Sequence, residues 1–233
     1  LGSEWPTIAD GTGRSIELIH PRLDNRDGNA WAAGSTGGTP GAANAAFTAV
    51  PFPIVGKIDH SPAVPRPTEA VTVKCRVSAT QAISAVEAIW HREAAAGGGT
   101  VTLRDNGLSG DGAAGDGEYA GAIPAQPDKA VVGFQIRARL ADGKTTTVPR
   151  SPAVPPYGGF AGPYCLYQVL AASPPLNPSE NYFVVMAAAD LNELRTRPEA
   201  SNVMLPCTFI HVAGDGDSSV RHLCGLRYSG EQT

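Results

Sequence analysis

The stretch AVTVKCRVS, residues Ala70–Ser78, decides the fold because apolar and polar side chains alternate along it. Its apolar positions are Val71, Val73, Cys75 and Val77, and the polar positions between them are Thr72, Lys74 and Arg76. A period of two residues places successive side chains on opposite faces of a strand. The stretch therefore predicts a strand of an antiparallel sheet, with one face in a core and the other toward water.

Further runs with strand character surround this stretch between Ile54 and Val148. The run AVVGFQIRARL, residues Ala130–Leu140, shows the same alternation. The others are IVGKID, ISAVEAIWHR, TVTLRD, EYAGAIP and KTTTVP. Several short strands at regular spacing are typical of an immunoglobulin-like sandwich, which we predict for residues 54–150.

The composition narrows the class of protein. Only 17% of the 233 residues are charged and the net charge is −4, whereas a nucleic-acid surface needs a clustered basic patch, so we expect no nucleic-acid partner. The 27 glycines and 20 prolines favour short strands and turns over helices. No apolar run reaches the roughly 18–20 residues of a membrane span, so we expect none in this chain. The chain begins without Met or an apolar leader, and we interpret it as a fragment of a longer protein.

Proline-rich stretches divide the chain. The run AVPFP marks a linker at residues 48–53, because closely spaced prolines keep the backbone extended. A second proline-rich linker covers residues 151–163. Residues 1–47 contain one clear strand, GRSIELIH, and are interpreted as the end of a domain, while residues 164–233 are interpreted as the beginning of another. The predicted fold class is mostly β, with an immunoglobulin-like β-sandwich flanked by partial domains and a short α+β segment at the C-terminus.

The C-terminal segment follows the pattern strand, helix, strand, strand. The run YFVVM predicts the first strand, and the helix after it opens or is capped at Asp190 and ends at Pro198. The runs MLPCTFIHV and VRHLCGLRY flank the turn residues AGDGDS and predict a hairpin.

The stretch DNGLSGDGAAGDGEYAGAIP, residues 105–124, mixes glycines with the acidic residues Asp105, Asp111, Asp116 and Glu118. Calcium takes about six to eight oxygen ligands, often from carboxylates close in sequence, so these four are candidate calcium ligands. Their spacing does not fit the EF-hand pattern. The alternative, which we favour, is a long connection in which glycines adopt positive φ and aspartates close the turns. No lysine or helix follows in the manner of a phosphate-binding loop.

The cysteines of the predicted hairpin face each other if the chain turns at Asp215-Gly216. A facing pair has the separation that a disulfide needs, so Cys207 and Cys224 are a candidate cross-strand disulfide, with two free thiols as the alternative. The same register puts His211 and His222 on one face, which raises a zinc site as a weaker hypothesis. The predicted facing pairs are Cys207 with Cys224, Phe209 with His222, and His211 with Val220.

No arrangement for nucleophilic catalysis is visible in the sequence. The five histidines are scattered and no Gly-x-Ser-x-Gly motif occurs. We therefore assign no catalytic residue and no cofactor-binding residue to this chain, and calcium is the one candidate cofactor.

The N-terminal segment combines a DG.G.S.EL strand, an Asn/Asp loop, a tryptophan and a GTPG..N turn. These positions are Asp10, Gly11, Gly13, Ser15, Glu17, Leu18, Asp24, Asn25, Trp31, Gly38, Thr39, Pro40, Gly41 and Asn44. In this order they resemble the C-terminal part of a bacterial lamin-tail domain. The acidic glycine-rich stretch from residue 105 is similar to a loop of the immunoglobulin-like module that follows such tails in large secreted bacterial proteins.

The C-terminal segment combines the strand and helix described above with TF and GLRYSG motifs. The positions concerned are Thr208, Phe209, Gly225, Arg227, Tyr228 and Gly230. They resemble the beginning of a spore-coat CotH-type kinase domain, although Cys207 replaces an acidic or small residue and Ser229 replaces an arginine. The resemblance implies that the lysine, the catalytic acid and the metal-binding acids of that family would follow Thr233.

These resemblances imply a role outside the cell. We expect a non-catalytic accessory and spacer or interaction region of a secreted or cell-surface multidomain bacterial protein, with an unidentified protein or carbohydrate as its partner. The alternative is the N-terminal part of a CotH-like kinase, which would transfer phosphate from ATP to protein with catalytic residues beyond this chain.

Overall fold

The computed structural model describes residues 5–93, 97–149, 164–172, 179–198 and 201–228. The chain is mostly β, with 46% strand and 7% helix arranged in several antiparallel sheets, which confirms the predicted class. In the described part of the chain, no helical stretch combines the length and hydropathy needed to traverse a bilayer. The predicted linker at residues 151–163 lies outside the described residues.

An antiparallel hairpin of β1 (Arg14–Leu18) and β2 (Trp31–Thr36) forms the N-terminal unit. Its small apolar cluster of Leu23 and Ala30 includes Ile54, the first residue of the next strand. The hairpin therefore packs onto the domain that follows it.

The carboxylate of Glu17 organises the segment after this hairpin. Glu17 is buried in the fold and accepts hydrogen bonds from the hydroxyls of Ser15 (2.8 Å) and Thr39 (2.9 Å) and from the backbone N–H of Ala46 (3.1 Å). The Ala46 N–H, followed by the Ser15 hydroxyl, holds the pKa of Glu17 below its ordinary value. The glutamate thus ties the GTPG turn to the strand that precedes it.

Two facing antiparallel sheets form the β-sandwich. Its strands are β3 (Ile54–Ser61), β4 (Val71–Ser78), β5 (Ile83–Arg92), β6 (Gly98–Leu103), β7 (Glu118–Ile123), β8 (Val131–Leu140), β9 (Thr145–Val148) and β10 (Cys165–Gln168). One sheet has the order β3-β4-β7. The other has the order β10-β8-β5-β6, and β9 also pairs with β8.

The core lies between these sheets and follows the alternation in the sequence. Along β4, buried positions alternate with partly exposed ones, as the stretch from Ala70 to Ser78 predicts. The facing sheet contributes Phe134 and Ile136, both fully buried. A side chain of this size stabilises the fold by about 1.5–3 kcal/mol when buried, so these strands hold the two sheets together.

Strand β10 belongs to the sandwich although it lies beyond residue 163, where the sequence-based boundary falls. It pairs with the first half of β8, residues 131–134, while β9 pairs with the second half, residues 136–139. Cys165 and Tyr167 are fully buried in the sandwich core. The intervening Leu166 points the other way, into a second apolar cluster.

The C-terminal unit is a three-stranded antiparallel sheet with a helix. Its elements are β11 (Glu180–Val185), α1 (Ala188–Thr196), β12 (Leu205–Ala213) and β13 (Ser218–Leu226), with the strand order β11-β12-β13. The predicted order of strand, helix and hairpin is therefore correct. Asp190 lies in the first turn of α1 and not at its cap. The first N–H of the helix, that of Ala188, is instead bound by the Glu93 carboxylate after β5.

Strands β3 and β13 each contain a bulge. The pairing of β3 with β4 shifts register between Gly56 and Asp59, where Lys57 has a φ of +47°. The pairing of β12 with β13 shifts between Cys207 and Phe209, and Leu223 on β13 has a φ of +58°. An inserted residue in a bulge changes the face to which the following side chains point.

The turn of the hairpin and the bulge in β13 together decide which of the predicted facing pairs are correct. Cys207 does face Cys224, as predicted, but Phe209 faces Arg221 and not His222, and His211 faces Ser219 and not Val220. Next to the turn, each residue pairs one position away from its predicted partner, because the hairpin turns about Asp215 and not between Asp215 and Gly216. The residue inserted in β13 then restores the predicted register at Cys207.

Candidate functional site

The acidic glycine-rich loop turns its aspartates toward its own backbone. Asp111 is fully buried, and its carboxylate accepts the N–H groups of Asn106, Gly107 (2.9 Å) and Ser109 (3.1 Å). Burial pushes the pKa of Asp111 up, but the N–H donors of Gly107 and Asn106 outweigh it and leave the pKa below its ordinary value. This carboxylate is therefore a structural acceptor in the loop.

The other two aspartates close the loop in the same way. Asp105 accepts the N–H groups of Gly115 (2.6 Å) and Gly117 (3.0 Å). Asp116 accepts those of Glu118 (2.9 Å) and Ala113 (3.0 Å), which lower its pKa. These contacts are the turn geometry that the sequence favours.

The candidate calcium ligands are near each other in sequence, and two of them also lie close together in the fold. Glu118 begins β7, Asp116 accepts its backbone N–H, and both carboxylates lie beside Gly112. Among the described residues, no group of three or more His, Cys, Asp or Glu side chains is placed to hold a metal ion. The arrangement therefore offers no support for a calcium site at Asp105, Asp111, Asp116 and Glu118.

Cys207 and Cys224 are paired across β12 and β13 with free thiols. Burial, and to a smaller degree the neighbouring Cys224, raises the pKa of Cys207 to about 11. The Cys224 thiol lies 3.3 Å from the Arg221 carbonyl oxygen, which it can donate to. The disulfide between these residues stays a prediction, and a loss of 2 Da on oxidation of the intact protein, by mass spectrometry, would support it.

A histidine pair, with His60 buried and His222 partly exposed, joins the sandwich to the C-terminal sheet. Nδ1 of His60, on β3, lies 3.1 Å from Nε2 of His222, on β13. His60 is only 3% exposed. The bulge in β3 turns His60 inward, whereas His222 lies on the same side of β13 as Val220, against Thr208. His211 projects from the other side of the sheet, so His222 does not share a face with it. The zinc hypothesis for His211 and His222 is therefore wrong.

The histidine pair continues into a longer chain of hydrogen bonds. Nε2 of His60 lies 3.1 Å from the Ala63 carbonyl oxygen, and Nδ1 of His222 lies 3.0 Å from Oγ1 of Thr208. That hydroxyl oxygen also accepts the backbone N–H of Leu166, on β10, at 3.1 Å. This series of hydrogen bonds therefore connects β3, β13, β12 and β10.

Aromatic rings pack against the pair and shield His60 from water, while His222 stays partly exposed. Tyr167 and Phe134, both fully buried, lie with their ring centroids 5.4 Å and 6.5 Å from that of His60. Burial lowers the pKa of His60 to about 4, and the pKa of His222 lies well below its ordinary value because of burial and then of His60. Both imidazoles are therefore neutral at pH 7.

A row of rings lies on the opposite, exposed face of the C-terminal sheet. Tyr182 is 62% exposed and stacks on both Phe209 and His211, with centroid distances of 5.7 Å and 5.1 Å. Glu180 contacts the imidazole of His211. Exposed aromatic rings backed by a rigid sheet are suited to contact with another molecule.

The histidine pair could not be found from the sequence. His60 and His222 are separated by 162 positions, and His60 points inward because of a bulge that no local pattern announces. The aspartate turns, in contrast, were readable from their glycine neighbours.

Comparison with known proteins assigns no family to this chain. No family model matches it, and no curated protein is significantly similar to it. The functional interpretation therefore depends on the geometry of the molecule itself.

Proposed function

We propose that this chain is a non-catalytic spacer and interaction region of a secreted or cell-surface multidomain bacterial protein. The observation that carries this proposal is the joint between the sandwich and the C-terminal sheet. A spacer that orients its neighbours needs joints built from packed and hydrogen-bonded contacts, because domains otherwise move relative to one another.

The joint has both kinds of contact. Leu166, from β10, packs with Val185 and Ile210 of the C-terminal sheet in one apolar cluster. The Glu93 carboxylate binds the first N–H of α1 from the sandwich side. One face of β10 packs in the sandwich core and the other packs against the C-terminal sheet, so the two units share this strand.

The exposed rings provide the contact surface of such a region. Tyr182 and the neighbouring Val184, 45% exposed, lie on the edge strand β11 and would meet a protein or a carbohydrate partner. Aromatic rings serve both, since they give large contact areas at low cost in conformational entropy.

Residual dipolar couplings measured by NMR on the whole chain test the spacer role. Couplings from β4, β5 and β8 and those from β11–β13 are expected to fit one alignment tensor. Two different tensors would mean a loose joint and would reject the proposal. The contact surface is tested separately by titration with bacterial cell-surface polysaccharides and proteins, where Tyr182→Ala should remove binding and Leu108→Ala, at a site 83% exposed on the acidic loop, should not.

A second candidate is the N-terminal part of a CotH-like protein kinase. The observation that favours it is the order β11, α1, β12, β13, which is the order implied by the resemblance at Thr208, Phe209, Gly225, Arg227 and Tyr228. In this case the chain supplies a strand and a turn near a nucleotide site, and the catalytic residues lie elsewhere in the protein. Sequencing the gene beyond Thr233 tests it, since a lysine-bearing strand and spaced acidic residues must follow in frame.

A further inference from the structure

We propose that the pair of His60 and His222 makes the joint between the sandwich and the C-terminal sheet sensitive to acid, so that protonation of the pair loosens the β11–β13 sheet. The joint has this property whether or not the chain acts as a spacer. The inference depends on the position of the two rings beside the bulges, the direction of the hydrogen bonds and the burial of His60.

The two bulges carry the first argument. Lys57 and Leu223 both adopt positive φ values, which are unfavourable for residues with a side chain. The bulge in β3 turns His60 inward, the bulge in β13 lies at His222 and Leu223, and the two imidazoles meet 3.1 Å apart. Strained backbone persists where the surrounding structure requires it, and it concentrates at switch regions and other functional positions.

The direction of each hydrogen bond follows from the acceptor at one end. The Ala63 carbonyl can only accept, so Nε2 of His60 carries the hydrogen. Neutral His60 then accepts at Nδ1 from Nε2–H of His222. Neutral His222 accepts at Nδ1 from the hydroxyl of Thr208, whose oxygen accepts the Leu166 N–H. Every donor and acceptor in the chain is satisfied only when both imidazoles are neutral.

Added protons break this order. If His60 gains a proton at Nδ1, its N–H opposes the N–H of His222. His222 can relieve this by moving its own hydrogen to Nδ1 and donating to Thr208, but the Thr208 hydroxyl hydrogen then loses its acceptor. A second proton places two N–H donors and two positive charges face to face. A buried unsatisfied donor and an unpaired buried charge both oppose folding.

The groups around the pair do not compensate such a charge. Tyr167 on β10 and Cys165 beside it are neutral, since burial raises the pKa of each far above 7. Asp59 on β3 is the nearest acid, and its effect on the pKa of His60 is smaller than that of burial. The cleft between β3, β4 and β13 is lined by charged residues of both signs, namely Lys57, Asp59, Lys74, Arg76 and Glu118.

Asp190 in α1 acts in the opposite direction. Burial, and then Glu193 and Glu93, raises its pKa to about 6, so the folded state takes up a proton there as the pH falls. That uptake favours the folded state between about pH 6 and pH 4. The histidine effect is therefore measured as a difference between the protein and its histidine variants, in which the contribution of Asp190 cancels.

The sign of the histidine effect follows from linkage. The pKa of His60 is about 4 in the folded state and 6.5 when the ring is exposed, so the opened state binds more protons. The stabilisation is complete above about pH 6.5 and is lost as the pH falls toward 4. For His60 alone, linkage gives an increase of about twentyfold in the opening equilibrium between pH 7 and pH 5.

Hydrogen exchange of the whole chain tests the proposal, with His60→Gln and His222→Gln as variants and His211→Gln as the matched control. His211 lies on the exposed face of the same sheet. We expect the ratio of β12 and β13 protection factors, protein over His60→Gln, to fall about twentyfold from pH 7 to pH 5. The ratio against His211→Gln should stay constant within about twofold, and β5 protection should change little.

Equal pH profiles for the protein and the His60→Gln and His222→Gln variants would overturn the proposal. If these variants fail to fold, NMR titration of the imidazoles in the unaltered protein decides. Both rings should then stay neutral to below pH 5 and titrate together with loss of the β12 and β13 signals. Titration near pH 6.5 without any change in the sheet would overturn the proposal as well.

Discussion

In both the acidic loop and the histidine joint, polar side chains find hydrogen-bond partners, but the sequence separation between the partners differs. In the loop, Asp105, Asp111 and Asp116 accept N–H groups no more than 12 positions away. In the joint, His60 meets a partner 162 positions away. The loop therefore needs only its own residues to be satisfied, whereas the joint exists only when two sheets are docked. Local polar groups stabilise a turn, and distant ones couple two units.

The largest expected effect comes from removing one imidazole. His222→Ala leaves His60 and Thr208 without their shared partner and opens a cavity beside Phe134. We expect a loss of about 3–4 kcal/mol in the free energy of unfolding, measured with urea. His211→Ala, on the exposed face, should cost less than about 1 kcal/mol. Equal losses for the two variants would mean that the buried pair has no special role.

Acid should destabilise the histidine joint and the acidic loop over different pH ranges. The free-energy gap between the protein and His60→Gln should narrow by about 3 kcal/mol as the pH falls from 6.5 to about 4, because the folded pKa of His60 is depressed. The gap between the protein and Asp111→Asn should narrow only below about pH 4, because the depressed pKa of Asp111 lies below 3.8. Urea titrations at several pH values measure both, and a shared window would contradict the distinction.

A smaller and local effect is expected in the loop. Asp111→Ala removes the acceptor for Asn106, Gly107 and Ser109, and their amide exchange should speed up by about tenfold or more. Exchange in β12 and β13 should stay the same, since the loop aspartates accept hydrogen bonds from the loop's own backbone. Faster exchange in β12 after this change would show that the two regions are coupled.

The smallest expected effect tests the strain in the first bulge. Lys57→Gly removes a side chain from a residue with a φ of +47° and should stabilise the protein by about 0.5–1 kcal/mol in thermal unfolding. Lys74→Gly, on the regular neighbouring strand β4, should destabilise it by a similar amount. A loss of stability in both variants would mean that the bulge is not strained at Lys57.

Features with a local physical cause could be predicted from the sequence. The alternation at Val71, Val73 and Cys75 predicted β4, and the facing of Cys207 and Cys224 followed from a count outward from the turn. That count failed at Phe209, because the residues beside the turn pair one position away from their predicted partners, and the residue inserted at Leu223 then brought Cys224 opposite Cys207. No pattern of apolar side chains marks this insertion or the one at Lys57, which sets the inward position of His60. Composition does not reveal a register shift of one residue, although such a shift decides which side chains are buried.

One edge of β8 pairs with β10 along its first half and with β9 along its second half, which has a consequence for folding during synthesis. On the edge of β8 that faces away from β5, residues 131–134 pair with β10, which a ribosome synthesises well after β9. The sandwich therefore cannot close its edge during synthesis until Cys165–Gln168 have left the ribosome. A protein cut at residue 150 would keep that edge open, with free N–H and C=O groups that invite strand addition and aggregation. The sandwich therefore includes a strand that lies beyond the proline-rich segment at which the sequence suggested its boundary.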